Sequence, residues 1–170
     1  MEWFVFIQVF VSVLFAVSSA AKFSKLSSFR VTLRQLRITP FWARNVVVAI
    51  PLLELVVCVL LLFPITLRYG AVLALLLISS FAWAGWRAKG RMVTYQWFGG
   101  LISERFGMGL HTRHLVLFLL SIYLLVAPFS STLTLASFNE ISILVLSSLG
   151  ILVIYTLGLT LRQYHKLYQE

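Results

Sequence analysis

Charge is scarce in this chain, and acidic charge scarcer still. Only 11% of the 170 residues are charged, and just five of those are Asp or Glu. Cysteine is nearly absent: Cys58 stands alone, which excludes an intramolecular disulfide, a CxxC redox pair and a structural metal cluster of thiolates. Cys58 lies in an apolar run and reads as a small packing residue. Catalytic constellations are missing too, with no Ser-His-Asp set and no phosphate-binding loop. The "GMG" at 107–109 follows no strand and lacks a third glycine, so it is not a dinucleotide fingerprint. No internal repeat, low-complexity tract or linker separates a second domain. The reading leans away from an enzyme.

Apolar sequence is what the chain has in abundance. Hydrophobic residues make up 61% and the mean hydropathy is +0.98, more apolar surface than a soluble core of this size can bury. A spanning helix needs roughly 20 apolar residues. Runs meeting that need cover approximately 3–21, 45–63, 69–86 and 141–161. A fifth, at approximately 114–130, is shorter and is broken by Pro128. The whole of 1–170 thus reads as one integral membrane domain, all-α, with five spans. The first run ends in "VSSAAK", which resembles a signal-peptide cleavage site, but Glu2 precedes it and no Lys or Arg does. The expectation is a retained helix.

The net charge of +9 would raise nucleic acid as a partner in a soluble protein. Here the cations sit between apolar runs, which points to anionic lipid headgroups and not to nucleic acid. Lys22, Lys25, Arg30, Arg34, Arg37 and Arg44 follow the first run. Arg87, Lys89, Arg91, Arg105 and Arg113 follow the third, and Arg162 and Lys166 the fifth. Arg68 alone falls on the other side. By the positive-inside rule the N-terminus is outside and the C-terminus cytoplasmic, in a bacterial plasma membrane.

The connection after the first run is patterned. Phe23, Leu26, Phe29, Leu33 and Leu36 recur at helical spacing among basic residues, and Pro40 ends the pattern. This predicts a basic amphipathic helix over approximately 23–38, lying in the interface, with Phe41 and Trp42 as belt aromatics. The second long connection mixes Gly99, Gly100, Gly107 and Gly109 with aromatics and charge, which suits a tightly turned or re-entrant segment. His111 and His114 are three apart and could share a helix face to hold a metal or haem. With no further ligand in view, polar residues at the start of a helix is the plainer reading, and His165 in the tail reads as solvated.

One residue stands out within "VVVAIPLLELVVCVLLLF". Glu54 lies about nine residues into its run, roughly 14 Å deep at ~1.5 Å per residue. A charge near a helix centre costs on the order of 2.5–3.5 kcal/mol. Protonation could offset that, as could a cation reaching in, with Lys22 and Arg113 best placed. Hydroxyls on neighbouring helices could also do so, from Ser18, Ser19, Ser79 and Ser80. A tie within the bundle and a ligand-binding role stand open side by side.

Taken together, "AKFSKLSSF" closing the first run, "PLLELVVCVLLLF" in the second, and "WFGG" followed by "GLHTRHLVLFLL" resemble the MauE branch of the DoxX-like membrane proteins over roughly residues 1 to 128. On that pattern Lys22, Pro51, Glu54, Phe98, Gly99 and Arg113 are the matching positions. The resemblance implies a four-helix bundle, here with a fifth transmembrane helix added. It also implies association with methylamine utilisation and with disulfide chemistry in partner proteins. Where the family carries Cys-x-Cys, this chain has Tyr95 and Trp97, so it cannot itself cycle a dithiol and a disulfide. Three functions follow as expectations. The first is an accessory subunit that holds or helps mature a partner protein. The second is a quinone- or small-ligand-binding redox subunit, with Tyr95, Trp97 and Phe98 stacking on the ring from a loop that includes Gly99. The third is a small transporter or immunity-type protein using Glu54. A protein partner or a homo-oligomer is expected, and no cofactor is certain, quinone being the possible one.

Overall fold

A backbone in hydrocarbon must satisfy its own N–H and C=O groups, and a helix does so within one segment. The computed structural model of the chain describes residues 3–35, 40–87, 94–95, 104–105, 108–127 and 138–167, and it is built of helices. They are α1 (Trp3–Ser24), α2 (Leu26–Gln35), α3 (Pro40–Leu62), α4 (Leu67–Arg87), α5 (Met108–Val126) and α6 (Phe138–Leu167). Between α4 and α5, the two-residue strands β1 (Thr94–Tyr95) and β2 (Glu104–Arg105) pair antiparallel, Thr94 opposite Arg105. The all-α class holds.

Four helices close a ring: α1 against α3, α3 against α4, α4 against α5, and α5 back against α1. Val11, Val57, Leu61, Ala71 and Ala74 lie at its centre with no exposed surface. The sixth helix sits outside the ring on α1, where Leu144 joins Val5 and Val9. Among the described residues, four helices, α1, α3, α4 and α6, contain segments long and apolar enough to cross a membrane. The apolar part of α5, His114–Val126, is shorter, because His111, Thr112 and Arg113 occupy the turn before it. With Leu52, Leu53, Leu55 and Val56 exposed on α3, the outer surface is apolar, as lipid contact requires. The chain is a multi-pass membrane protein.

The basic amphipathic helix is present, begins later than expected and packs on α3. The first helix continues past Ala21 to Ser24, Lys25 makes a turn, and α2 covers Leu26–Gln35. Its apolar side meets protein: Phe29 and Leu33 are buried against Val47, with Leu26, Val46 and Ile50 around them. Burial against α3 therefore takes the side expected to enter the lipid. Pro40 opens α3, five residues before the expected start of that run. Proline suits a first helical position because no N–H is needed there. Phe41 and Trp42 lie in this first turn, their side chains outside the described residues.

The α3–α4 turn is short and internally bonded. Thr66 donates its backbone N–H to Phe63 O at 3.1 Å and its hydroxyl to Leu60 O at 2.9 Å. That hydroxyl satisfies one of the carbonyls that the end of a helix leaves over. Gly70, on the first turn of α4, lets the two helices meet: a Cβ there would stand 3.0 Å from Leu60 Cβ and from the backbone N of Leu61.

Candidate functional site

The α1–α3 contact carries a polar seam that descends one helix as it climbs the other, so the pair is antiparallel. Gln8 donates from Nε2 to Leu61 O at 2.5 Å, capping a carbonyl in the last turn of α3. Ser12 donates to Cys58 O at 3.0 Å and lies 3.2 Å from Cys58 Sγ. Ser19 donates to Pro51 O at 2.8 Å. In hydrocarbon, small residues and interhelical hydrogen bonds of this kind stand in for the hydrophobic drive that lipid removes. The lone thiol, half-buried, is part of this seam.

At the end of the seam, Lys22 Nζ meets Glu54 Oε1 at 2.5 Å. Ser18 completes the arrangement: its Oγ accepts from Lys22 Nζ at 2.7 Å and donates to Glu54 Oε1 at 3.1 Å. Helical spacing explains this, since Ser18 and Lys22 are one turn apart and share a face of α1. Two aromatic rings lie near the ammonium group. Phe29 of α2 has its centroid 5.9 Å from Nζ, and Phe81 of α4 5.2 Å, both within cation–π range. Four helices thus converge on one charge pair. Lys22 is 3% exposed and Glu54 not at all. The second carboxylate oxygen, Oε2, is buried with no hydrogen-bond partner among the described residues.

Of the arrangements open to Glu54, pairing with Lys22 and a hydroxyl bond from Ser18 are both present. Ser19 bonds elsewhere. Ser79 and Ser80 do not fill the expected role: both are exposed, and Ser80 donates to Leu77 O on its own helix. A serine in a helix can satisfy its hydroxyl on the preceding turn, and these two do not face the bundle centre. Arg113 and His111 lie on α5 with their side chains outside the described residues. His114 is buried at 4% exposure. No set of three or more His, Cys, Asp or Glu that could hold a metal is found among the described residues. The backbone of Tyr95 lies on β1, its side chain outside the described residues, as are Trp97, Phe98 and Gly99 altogether.

Gln8 and Phe81 were not singled out from the sequence, and Phe29 was read only as part of an apolar helix face. Gln8 had a signal, being an amide inside an apolar run. The rings had none, because their position over Lys22 depends on how α2 and α4 pack.

The family model described as "Methylamine utilisation protein MauE" matches residues 1–127. Neither a curated protein nor a solved structure matches the chain. The matched span contains α1 to α5 and the whole Lys22–Glu54 site, whereas α6 lies beyond it.

Proposed function

Because the chain belongs to the MauE family of methylamine utilisation proteins, we propose that it is a membrane accessory protein that holds a partner protein in the bilayer or helps it mature. Any thiol chemistry then belongs to the partner, since a single cysteine cannot form the pair that such chemistry cycles. One observation carries this reading. The charges at the centre of the bundle are spent on each other, with Lys22 and Glu54 enclosed by Ser18, Phe29 and Phe81. In this reading the pair is a brace that fixes four helices, and the partner meets the outer surface. In this reading the chain sits in a bacterial plasma membrane, and the cation distribution favours an N-terminus outside and a C-terminus in the cytoplasm. Mass spectrometry of the chain gently extracted from its native membrane tests the proposal. A stoichiometric protein partner is expected. A lone chain or homo-oligomer carrying a quinone or other small ligand would overturn it.

A second reading rests on the buried, unpartnered Oε2 of Glu54. A carboxylate oxygen so placed could take a proton, a cation or a polar ligand group, as intramembrane acids often do. Glu54→Gln would then abolish a flux or phenotype at normal protein abundance. Collapse of abundance together with function would return Glu54 to its bracing role.

A further inference from the structure

At the end of the bundle that carries Lys22, α2 and the start of α3 flank a half-open pocket of about 430 Å³, lined among the described residues by Arg30, Arg34, Ala43 and Arg44. Its size falls within the roughly 300–1,000 Å³ of ligand pockets. Three guanidinium groups share this one space. Arg30 and Arg34 are four apart on α2, so they project from the same face, where like charges oppose helix formation. Arg44 comes from the second turn of α3, close to the partial positive charge at that helix's N-terminus. No carboxylate pairs with any of the three among the described residues, and the ion pair formed there, Lys22–Glu54, is closed off within the bundle.

Nothing about the fold requires this crowding. The contact between α2 and α3 is made by the apolar sides, through Phe29, Leu33 and Val47, so the arginines are free of packing duty. All three are exposed, at the end of the bundle where a membrane helix emerges from the hydrocarbon. Guanidinium is the side chain best shaped for a phosphate, offering paired N–H donors in a fixed plane to two oxygens at once. We infer that Arg30, Arg34 and Arg44 form a binding site for a phosphate group. The phosphate of an anionic phospholipid or a soluble phosphate anion would each satisfy that chemistry. Either one neutralises charges that otherwise repel and ties α2 to α3, next to the ring of Phe29 that covers Lys22.

The test uses the full chain in nanodiscs of phosphatidylcholine containing a minor fraction of phosphatidylglycerol. Native mass spectrometry counts the lipids retained on release, and calorimetric titration with inorganic phosphate follows in phosphatidylcholine alone. The variant is Arg30→Gln/Arg34→Gln/Arg44→Gln, with Arg44→Gln singly in case the triple variant does not assemble. Arg68→Gln, at the other end of the bundle, is the control. Wild type is expected to retain phosphatidylglycerol, or to bind inorganic phosphate, about tenfold or more better than the triple variant, given what hydrogen bonds to charged groups contribute. The single variant should lie between, and Arg68→Gln should match wild type. Retained phosphatidylglycerol identifies the lipid source; phosphate binding without lipid retention identifies the soluble one. Equal retention in wild type and the triple or Arg44→Gln variant, or no binding of either probe, would overturn the inference.

Discussion

Neutralising one partner of the central pair should cost far more than removing both. In Glu54→Leu, the Lys22 ammonium keeps Ser18 and two ring faces but loses the Glu54 carboxylate. In Lys22→Met, the Glu54 carboxylate keeps the Ser18 hydroxyl, while its Oε2 is already unpartnered. Breaking a buried pair from one side typically destabilises by about 3–5 kcal/mol, because a charge is left uncompensated. For a chain of this size, at roughly 2–4 °C per kcal/mol, that corresponds to a fall in Tm of about 6–20 °C. The double variant Lys22→Met/Glu54→Leu removes both charges of the buried pair together. It should recover most of the loss, since apolar replacement of a buried pair is often neutral or stabilising by about 1–4 kcal/mol. Unfolding by SDS titration from mixed micelles, followed by tryptophan fluorescence and circular dichroism, measures all four proteins as a double-mutant cycle. Single variants within about 1 kcal/mol of wild type, or losses that simply add in the double variant, would refute the bracing argument.

Other parts of the bundle make separate predictions. Gly70→Ala places a Cβ 3.0 Å from Leu60 Cβ and Leu61 N, and overpacking of this kind should cost about 1–3 kcal/mol in the same unfolding assay. Ser12→Ala removes the hydroxyl from Cys58 O and should cost only about 0.6 kcal/mol, the usual scale for interhelical hydrogen bonds in lipid. A loss of several kcal/mol would mean the seam is cooperative. Phe81→Leu withdraws the nearer ring from Lys22. It should destabilise by about 0.5–2 kcal/mol and speed labelling of Lys22 by an amine reagent, read by peptide mass spectrometry; unchanged labelling would mean the ring does not shield the ammonium.

The pairing of Lys22 with Glu54 was legible because each breaks its local pattern. A carboxylate in an apolar run demands a partner, and Lys22 closes the neighbouring run at a matching depth. The five apolar runs likewise became helices, since a helix satisfies its backbone groups within one segment in hydrocarbon. Boundaries shifted where tertiary contacts decide them. The amphipathic pattern of α2 is real, yet a periodic apolar face does not say whether lipid or protein covers it, and here Val47 and its neighbours do. Pro40 illustrates the same ambiguity: a proline stops one helix and starts another equally well, and it opens α3. Ser79 and Ser80 were drawn toward Glu54 by chemistry alone, without knowledge of which side of α4 they occupy. The spacing of Arg30 and Arg34 could be read from the sequence, but the cavity they share with Arg44 exists only once α2 folds back on α3.

The central claim is that the buried pair holds the bundle while the partner is met elsewhere. Its most direct test compares wild type with Lys22→Met/Glu54→Leu, both expressed in the native membrane and extracted gently, for the amount of partner protein retained per chain. The account predicts equal abundance and equal partner stoichiometry in the two. A double variant that is as abundant and as stable as wild type but has lost its partner would contradict it, and would place the pair in the working site itself.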